Sequence, residues 1–486
     1  MTAATPLRSI AVFGGGVVAL SAAIAFARAL PRADVILVKT PITPDALADR
    51  FPLVWPTEIA FLDQLGLDAR GLIACGAASP RLAQRFADWG PNAKPWLVPD
   101  GAPIAVAGSA PLHQRWLDAV RAGAALPFHA LFPTAVMAEA NRYDANFDID
   151  HALAFDPAMF GAILDQQAQR SGVRIGRGAI ASIERDDADV AVVRLLDGST
   201  ITADLCIDAT GPTARIAGDG EFLDWSDALP CDRLLVTEDR AASPSLCDDH
   251  RAVDLGWSGR WSRPRGGVCL FAYGSQTSSD ERARRTLGAG RDAATVVTVR
   301  PGRRTKIWAR NVLALGDAAV QPGALGNVGL SHAFAQLALA MDLLPGRTMP
   351  PMLLAEFNRR ATLRADRLCD LLAAFYHAGP VRRGPFWRDV SDRSPPPGLS
   401  GTLRQFSRNG HLPHHDEDGV DPSVWHTVLL GRGIRPECRD PLAMAADPRR
   451  NVEAIQAAAD DLKSAVSRLP PYAAHVPFPT SVEARR

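Results

Sequence analysis

The chain has 486 residues and a mass of 51.9 kDa, enough for two or three domains or one large α/β domain with insertions. Hydrophobic residues make up 47% and charged residues 22%, which is ordinary for a soluble globular protein. Lys+Arg and Asp+Glu both number 53, and that balance argues against a basic nucleic-acid binder and against a polyacidic tail protein.

Two finer counts bear on chemistry. Only four of the 53 cations are lysine (Lys39, Lys94, Lys306 and Lys463), and 10 tryptophans outnumber 4 tyrosines. The seven cysteines form no C-x-x-C pair, so reduced thiols are expected rather than a disulfide framework or a metal site. No secretory h-region opens the sequence and no apolar run is long enough to span a bilayer. These features point to a cytoplasmic protein with no membrane partner.

In chain order, Ser9–Phe13 reads as a buried parallel strand, followed by Gly14-Gly15-Gly16-Val17-Val18-Ala19 and an Ala-rich helical run. A second strand, Asp34–Val38, completes a βαβ unit with G-x-G-x-x-A spacing over Gly14, Gly16 and Ala19. Glycines there let a pyrophosphate approach the backbone, and the helix N-terminus from Val17 offers it N–H groups. The second strand of such units usually ends in an acid that holds ribose hydroxyls. Lys39 stands in that place, where it could meet a phosphate instead.

A third strand ends in Ala209-Thr210-Gly211. A fourth, Asn311–Leu315, ends in Gly316-Asp317, followed by a turn with Pro322, then Val328-Gly329 and a long helix. Three such elements, separated by a large insertion, specify a flavin dinucleotide fold better than any one of them. Leu287-Gly288-Ala289-Gly290 is not in a βαβ unit, so no second dinucleotide site is expected. The stretches near 378–400 and 409–422 read as loops, and Glu58 and Asp63 as solvated helix charges. The tail 471–486 reads as disordered.

With these elements placed, the chain resembles the flavin-dependent tryptophan halogenase family, within the FAD monooxygenases. The resemblance is carried by Asp224-Trp225-Ser226-Asp227-Ala228-Leu229-Pro230-Cys231-Asp232-Arg233, by Gly302-Arg303-Arg304 through Gly316-Asp317, by Pro385–Asp389, and by Trp425–Gly433. It implies an α/β fold: an FAD-binding doubly wound domain, Rossmann-like and of aromatic-hydroxylase type, with an inserted substrate β-sheet and a C-terminal helical region. The FAD domain is expected over 1–345, from segments of about 1–50, 150–220 and 300–345, with a helical cap over 346–470. The resemblance also implies FAD supplied as FADH2 by a separate NAD(P)H-flavin reductase, halide as co-substrate of a halogenating member, and an aromatic small molecule or peptide as substrate. It leaves the oligomeric state open.

The family's chemistry needs a Lys ammonium to handle hypohalous acid, a Glu to accept the arene proton, and a W-x-W-x-I-P strand between flavin and substrate. This sequence departs at each. Arg81 stands where the lysine opens the K-x-x-x-K-F-x-x-W pattern, here Arg81 to Trp89. Gly326 stands in the glutamate's place, and Ala48–Pro56 replaces the G-E-A-T flavin segment. The strand is altered to Trp257-Ser-Gly-Arg-Trp261-Ser-Arg-Pro264.

Arginine stays protonated and is a poor nucleophile, so Arg81 is expected to hydrogen-bond hypohalous acid or to anchor a substrate carboxylate. His332, on the helix after the Gly-rich turn, and His113, in the loop PLHQRW, are the candidate acids for an oxygenation. Trp89, Trp261, Pro264, Trp387 and Trp425 are the candidate pocket walls. Gly14, Gly16, Val17, Ala19, Lys39, Gly316, Asp317, Pro322, Val328 and Gly329 are the candidate cofactor contacts. No metal site is expected. Three readings stand: an FAD-dependent oxidase or oxygenase of an aromatic group, a halogenase with Arg81 in the lysine's role, and a degenerate relative that binds flavin or peptide.

Overall fold

A computed structural model describes residues 5–91, 94–147, 149–187, 189–287, 293–379, 384–445 and 447–474. Gly288–Gly290 and the tail beyond 474 fall outside these residues. The chain forms two compact units. The first takes residues 1–78, 154–232 and 297–369, and the second takes 79–153, 233–296 and 370–486. The inserted strands therefore group with the C-terminal helices, and the first unit runs on to Cys369 rather than ending at 345.

The first unit is built on a six-stranded sheet in the order Trp308–Ala309, Val312–Ala314, Leu205–Asp208, Ser9–Phe13, Asp34–Lys39, Arg174–Arg177. Ser9–Phe13 pairs in parallel on both sides, Phe13 facing Asp208 on one and Val38 on the other. Ile10 to Phe13 are all buried, as a parallel strand covered on both faces requires. Helix Val17–Ala29 is Ala-rich and buried through Ala27. Helix Pro157–Arg170 packs against it, burying Phe160, Leu164 and Ala168 at a four-residue spacing.

The turn between Phe13 and Val17 has no spare volume. Gly14 has φ +151°, and a Cβ there would lie 2.3 Å from the Ala209 carbonyl oxygen and 2.8 Å from Ala19 Cβ. The spacing Gly14 and Ala19 is thus a packing requirement between the first turn and the Ala209-Thr210 turn. Asp208 fixes the latter: its carboxylate accepts from the Thr210 amide and hydroxyl and from the amides of Ile216 and Ala217, at 2.7–3.0 Å.

In the second unit, six strands follow one another in the order Arg233–Asp239, Gly267–Tyr273, Gly256–Ser262, Cys247–Val253, Ala83–Ala87, Trp96–Pro99. All neighbours are antiparallel except Cys247–Val253 with Ala83–Ala87. Trp257 and Trp261 lie four residues apart on Gly256–Ser262, so both face the same side. Helix Pro448–Ser467 packs on helices Leu112–Arg121 and Pro133–Ala140. The stretch 378–400, expected as loop, contains the helix Gly384–Asp392 and the start of helix Pro397–Asn409. Several helix starts are written as Asp-Pro: Asp156, Asp421, Asp440 and Asp447 each cap the helix their following proline opens. No helix among the described residues is long and apolar enough to cross a membrane.

Gly14→Ala is expected to cost stability by overpacking, about 1–3 kcal/mol, because its methyl meets a backbone oxygen. Thermal melting of the variant checks this; an unchanged melting temperature would show that the first turn can relax.

Candidate functional site

The glycine-lined motifs of the first unit meet at one place. Gly16 caps helix Val17–Ala29 with its backbone in an extended conformation and without a side-chain cap of its own. The helix therefore turns free N–H groups, and the positive end of its dipole, toward this point. What meets them is Asp49, from the short helix Leu47–Arg50. Its carboxylate accepts from the Val18 amide at 2.9 Å, and a Cβ on Gly16 would lie 2.1–2.4 Å from the carboxyl atoms. The next residue back, Ala48, donates its amide to Asp317 at 2.9 Å. A Cβ on Gly329 would lie 3.0 Å from Ala48, and one on Gly211 would lie 3.2 Å from Ala46 Cβ. Gly316, at φ +60°, packs over Val18 and donates its amide to the Gln336 side-chain oxygen at 3.1 Å.

Both carboxyls are buried, Asp49 with 7% of its surface exposed. Burial pushes the Asp49 pKa up to about 6, only partly offset by the Val18 and Val17 amides. Burial likewise pushes Asp317 up to about 8; its bond to Ala48 works against this, and the nearby charges of Asp49 and Asp45 add to it. The sequence pointed to Asp317 and passed over Asp49, whose only signal is an acid in the apolar run Ala46-Leu47-Ala48-Asp49.

The remaining candidates of this unit fall around the same cradle with different partners. Lys39 forms an ion pair with Asp165 of helix Pro157–Arg170. Pro322 is buried just after strand Val320–Gln321, and Val328 precedes helix Gly329–Asp342. His332 is buried on that helix, and its Nε2 has no hydrogen-bond partner among the described residues. Burial, aided by the charge of Arg364, pushes its pKa down to about 3, so it is neutral near pH 7 and carries no acidic proton of an imidazolium. Glu58 corrects the sequence reading: it is buried, not solvated, and pairs with Arg364 at 2.8 Å. Burial pushes its pKa up to about 7, against its bonds to Thr57 and Arg364.

These residues fit a flavin dinucleotide in most respects. Glycines at 14, 16, 211, 316 and 329 place no side chain there, although the chain's own atoms pack against each, and the Thr40 and Thr43 hydroxyls are buried without a hydrogen-bond partner among the described residues. The exception is the helix N-terminus, where a pyrophosphate would sit and Asp49 does.

In the second unit, Arg81 ends strand Ala78–Arg81 with 2% of its surface exposed. Its Nε and one terminal nitrogen bind Asp100 in a bidentate pair at 2.7 and 2.9 Å, and the other terminal nitrogen reaches Asp248 at 3.3 Å. Asp248 also accepts from the Ser262 amide at 3.0 Å. Burial alone would lower the Arg81 pKa, but the two carboxylates outweigh it and hold the guanidinium protonated. Burial raises Asp248 to about 6 in spite of Arg81. Arg81 was expected to face a reactant; its guanidinium instead satisfies two internal carboxylates.

The expected pocket walls are core. Trp89, Trp261, Trp387 and Trp425 are all buried, and Pro264 is buried in the turn after Gly256–Ser262. The Trp89 indole donates to the Phe375 carbonyl at 2.6 Å, Trp387 to that of Val253 at 2.8 Å, and Trp261 to His250 Nε2 at 3.1 Å. Trp89 also meets Trp257 and Trp387 at centroid distances of 5.8 and 5.3 Å. A cavity of about 880 Å³ opens on the same sheet, lined among others by Arg85, Glu238, Asp249, Arg251 and Arg260, and by none of these five walls. His113 lies on helix Leu112–Arg121, not in a loop. It stacks on His426 at 3.7 Å and its Nε2 is 2.8 Å from the Gly410 carbonyl. Burial pushes its pKa down to about 4, against the Gly410 bond, so it too is neutral near pH 7.

Comparison with known proteins gives a consistent outcome. The family model described as tryptophan halogenase matches residues 9–448. The tryptophan 7-halogenase RebH of Lentzea aerocolonigenes is 24% identical, over 93% of this chain and 94% of its own length. The tryptophan 6-halogenase ThaL of Streptomyces albogriseolus is 23% identical, over 92% and 93%. Among solved structures, Xcc4156, a flavin-dependent halogenase from Xanthomonas campestris, superposes with a TM-score of 0.90 at 23% identity, covering 98% of this chain and 99% of that one. BrvH, a flavin-dependent halogenase from Brevundimonas sp. BAL3, gives 0.88 at 24% identity, covering 96% and 98%. At these identities the structural likeness establishes the fold.

Two outcomes follow from the geometry. Arg81→Ala leaves two buried carboxylates without their cation and is expected to cost about 3–5 kcal/mol in chemical denaturation; a loss under about 1 kcal/mol would mean that Arg81 faces solvent. Asp49 and Asp317 hold protons more tightly folded than at the ordinary 3.8. The stability they contribute is therefore full below the unfolded value and is lost as pH rises through about 6 and about 8. The melting temperature is expected to fall over that window, and Asp317→Asn to remove the upper part of the fall; an identical pH profile in the variant would contradict the assignment.

Proposed function

The chain belongs to the tryptophan halogenase family, and we propose that it is a flavin-dependent oxidoreductase acting on an aromatic group without relaying halogen through residue 81. The observation that carries this reading is the Arg81 cluster. An ammonium that handles hypohalous acid must be free to reach it, whereas Arg81 is fastened to Asp100 and Asp248. Its guanidinium, held protonated, also lacks the lone pair needed to form a nitrogen–halogen bond. The second family residue is absent for a backbone reason as well. Gly326 has φ +76°, a conformation in which a glutamate would be strained by about 1–3 kcal/mol.

Gly14, Gly16, Val17, Ala19, Gly316, Asp317, Pro322, Val328 and Gly329 are the residues that would hold FAD along the cradle of the first unit. Reduced flavin, when bound there, supplies the electrons with which O2 oxidises an aromatic ring. Gly14 and Gly16 let the backbone approach the dinucleotide, and the N–H groups of Val17 and Val18 would bind its pyrophosphate. Lys39, at the end of the second strand, would have to leave Asp165 to reach a phosphate. His332, neutral and with an unpartnered Nε2 among the described residues, can orient a polar group by hydrogen bonding but does not supply a proton as an imidazolium. A separate NAD(P)H-flavin reductase supplies the reduced cofactor, since no second dinucleotide fingerprint is found in the sequence. The relatives named for tryptophan make an indole, free or in a peptide, the first substrate to test.

The test supplies the purified protein with FAD, a flavin reductase, NADH and O2, and a panel of indoles with chloride, bromide or no halide, and reads products by mass spectrometry. Products carrying oxygen and no halogen, formed equally without halide, are expected. Halogenated product from the native chain that disappears in Arg81→Ala, with the variant shown to be folded, would favour the halogenase reading instead.

A further inference from the structure

The glycines that a dinucleotide fold keeps bare for a ligand are here covered by the chain itself. Asp49 stands over Gly16 and takes the Val18 amide, Ala48 closes on Gly329, and Ala46 closes on Gly211. A carboxylate accepting N–H groups at a helix N-terminus makes the same charge-assisted bond that a phosphate oxygen makes there. Helix Val17–Ala29 has 13 residues, so the dipole it presents is fully developed.

The arrangement is costly if its only task is packing. Two carboxyls, Asp49 and Asp317, are buried near one another at the segment Ala48-Asp49, and neither is in a salt bridge among the described residues. Buried acids normally have a cation beside them. Here their hydrogen-bond partners are backbone amides, and those of Val17 and Val18 are the ones an incoming diphosphate would need. A diphosphate at the same place would meet the Asp49 carboxylate as a like charge.

We infer that Asp49 is an internal occupant of the pyrophosphate seat, so that any diphosphate-bearing ligand binds this chain by displacing Leu47–Arg50, and that Asp49 is the residue that sets the affinity for it. The inference rests on the flavin reading above for the identity of the ligand, but its own content is the competition between one carboxylate and a diphosphate. It also accounts for the lost G-E-A-T segment: the stretch that replaces it, Ala48–Pro56, begins with the residues that fill the seat.

The experiment measures ADP binding by calorimetry and FAD binding by flavin fluorescence in the native chain and in Asp49→Asn and Asp49→Ala. Asparagine keeps an oxygen to accept from Val18 while removing the charge, which protects the fold if alanine does not; melting curves report on both. Asp63→Asn, an exposed acid in the same unit, controls for net charge. The expected result is ADP and FAD affinity raised about tenfold or more in the Asp49 variants and unchanged in Asp63→Asn. Equal or weaker affinity for both ligands in Asp49→Asn overturns the inference, and the flavin reading then stands as long as FAD still binds. Tighter ADP with no FAD binding by any protein keeps the inference and removes the flavin reading. Binding of neither ligand by any of the proteins removes both.

Discussion

The Val18 amide and the Asp49 carboxylate meet 2.9 Å apart at the start of helix Val17–Ala29, and the local order of the first unit follows from that contact. A helix N-terminus buried in a sheet crevice cannot leave its N–H groups without acceptors. Water, a ligand anion or a protein side chain must supply them. This chain supplies a carboxylate, and to bring it there it lays Ala46–Asp49 across Gly211, Gly329 and Gly16. Asp317 then finds its own acceptor role with the Ala48 amide. The glycines of the crevice thus serve close packing of chain on chain in this conformation, with the geometry that would serve a phosphate.

The same rule, that a buried charge must be answered, shapes the second unit in a different way. Arg81 is answered by two acids, one on each side of its guanidinium. The Asp248 carboxylate is fixed in turn by the Ser262 amide on the strand that carries Trp257 and Trp261. Aromatic side chains fill the space nearby: Phe86 stacks on His250, and His250 accepts from Trp261. Arginine is suited to such a place because its planar fork can satisfy a carboxylate with two parallel bonds and the other with a third. A lysine would offer one compact charge and would be less able to hold both acids.

Much of the fold was legible from local pattern. The apolar run of Ser9–Phe13, the glycines after it and the Ala-rich helix needed no partner to be recognised, because each expresses a constraint within a few residues. The Gly316-Asp317 turn was legible for the same reason. Four Asp-Pro helix starts were equally available in the sequence, and two of them mark the C-terminal helices Pro422–Gly431 and Pro448–Ser467. The helices inside 378–400 were missed because proline and arginine dominate that stretch and its apolar residues are few. Grouping of the inserted strands with the C-terminal helices was missed because it depends on packing between segments far apart in the chain.

Sequence by itself determined the family scaffold, the dinucleotide-type crevice and the two departures at Arg81 and Gly326, since each is a matter of residue identity at a fixed spacing. The tertiary structure decided what those residues do. Arg81 became a buried cation only because Asp100, 19 positions on, and Asp248, 167 positions on, converge on it. His113 and His332 became neutral because burial removes the water that would solvate an imidazolium. Trp89, Trp261 and Trp387 became core, each with its indole N–H bonded to an acceptor inside the fold. Asp49, an acid of no evident role in the sequence, became the occupant of the crevice because the fold brings it across 31 positions to the helix start. Charge and hydrogen bonding act through distance in space, and that distance is set by the fold rather than by separation along the chain.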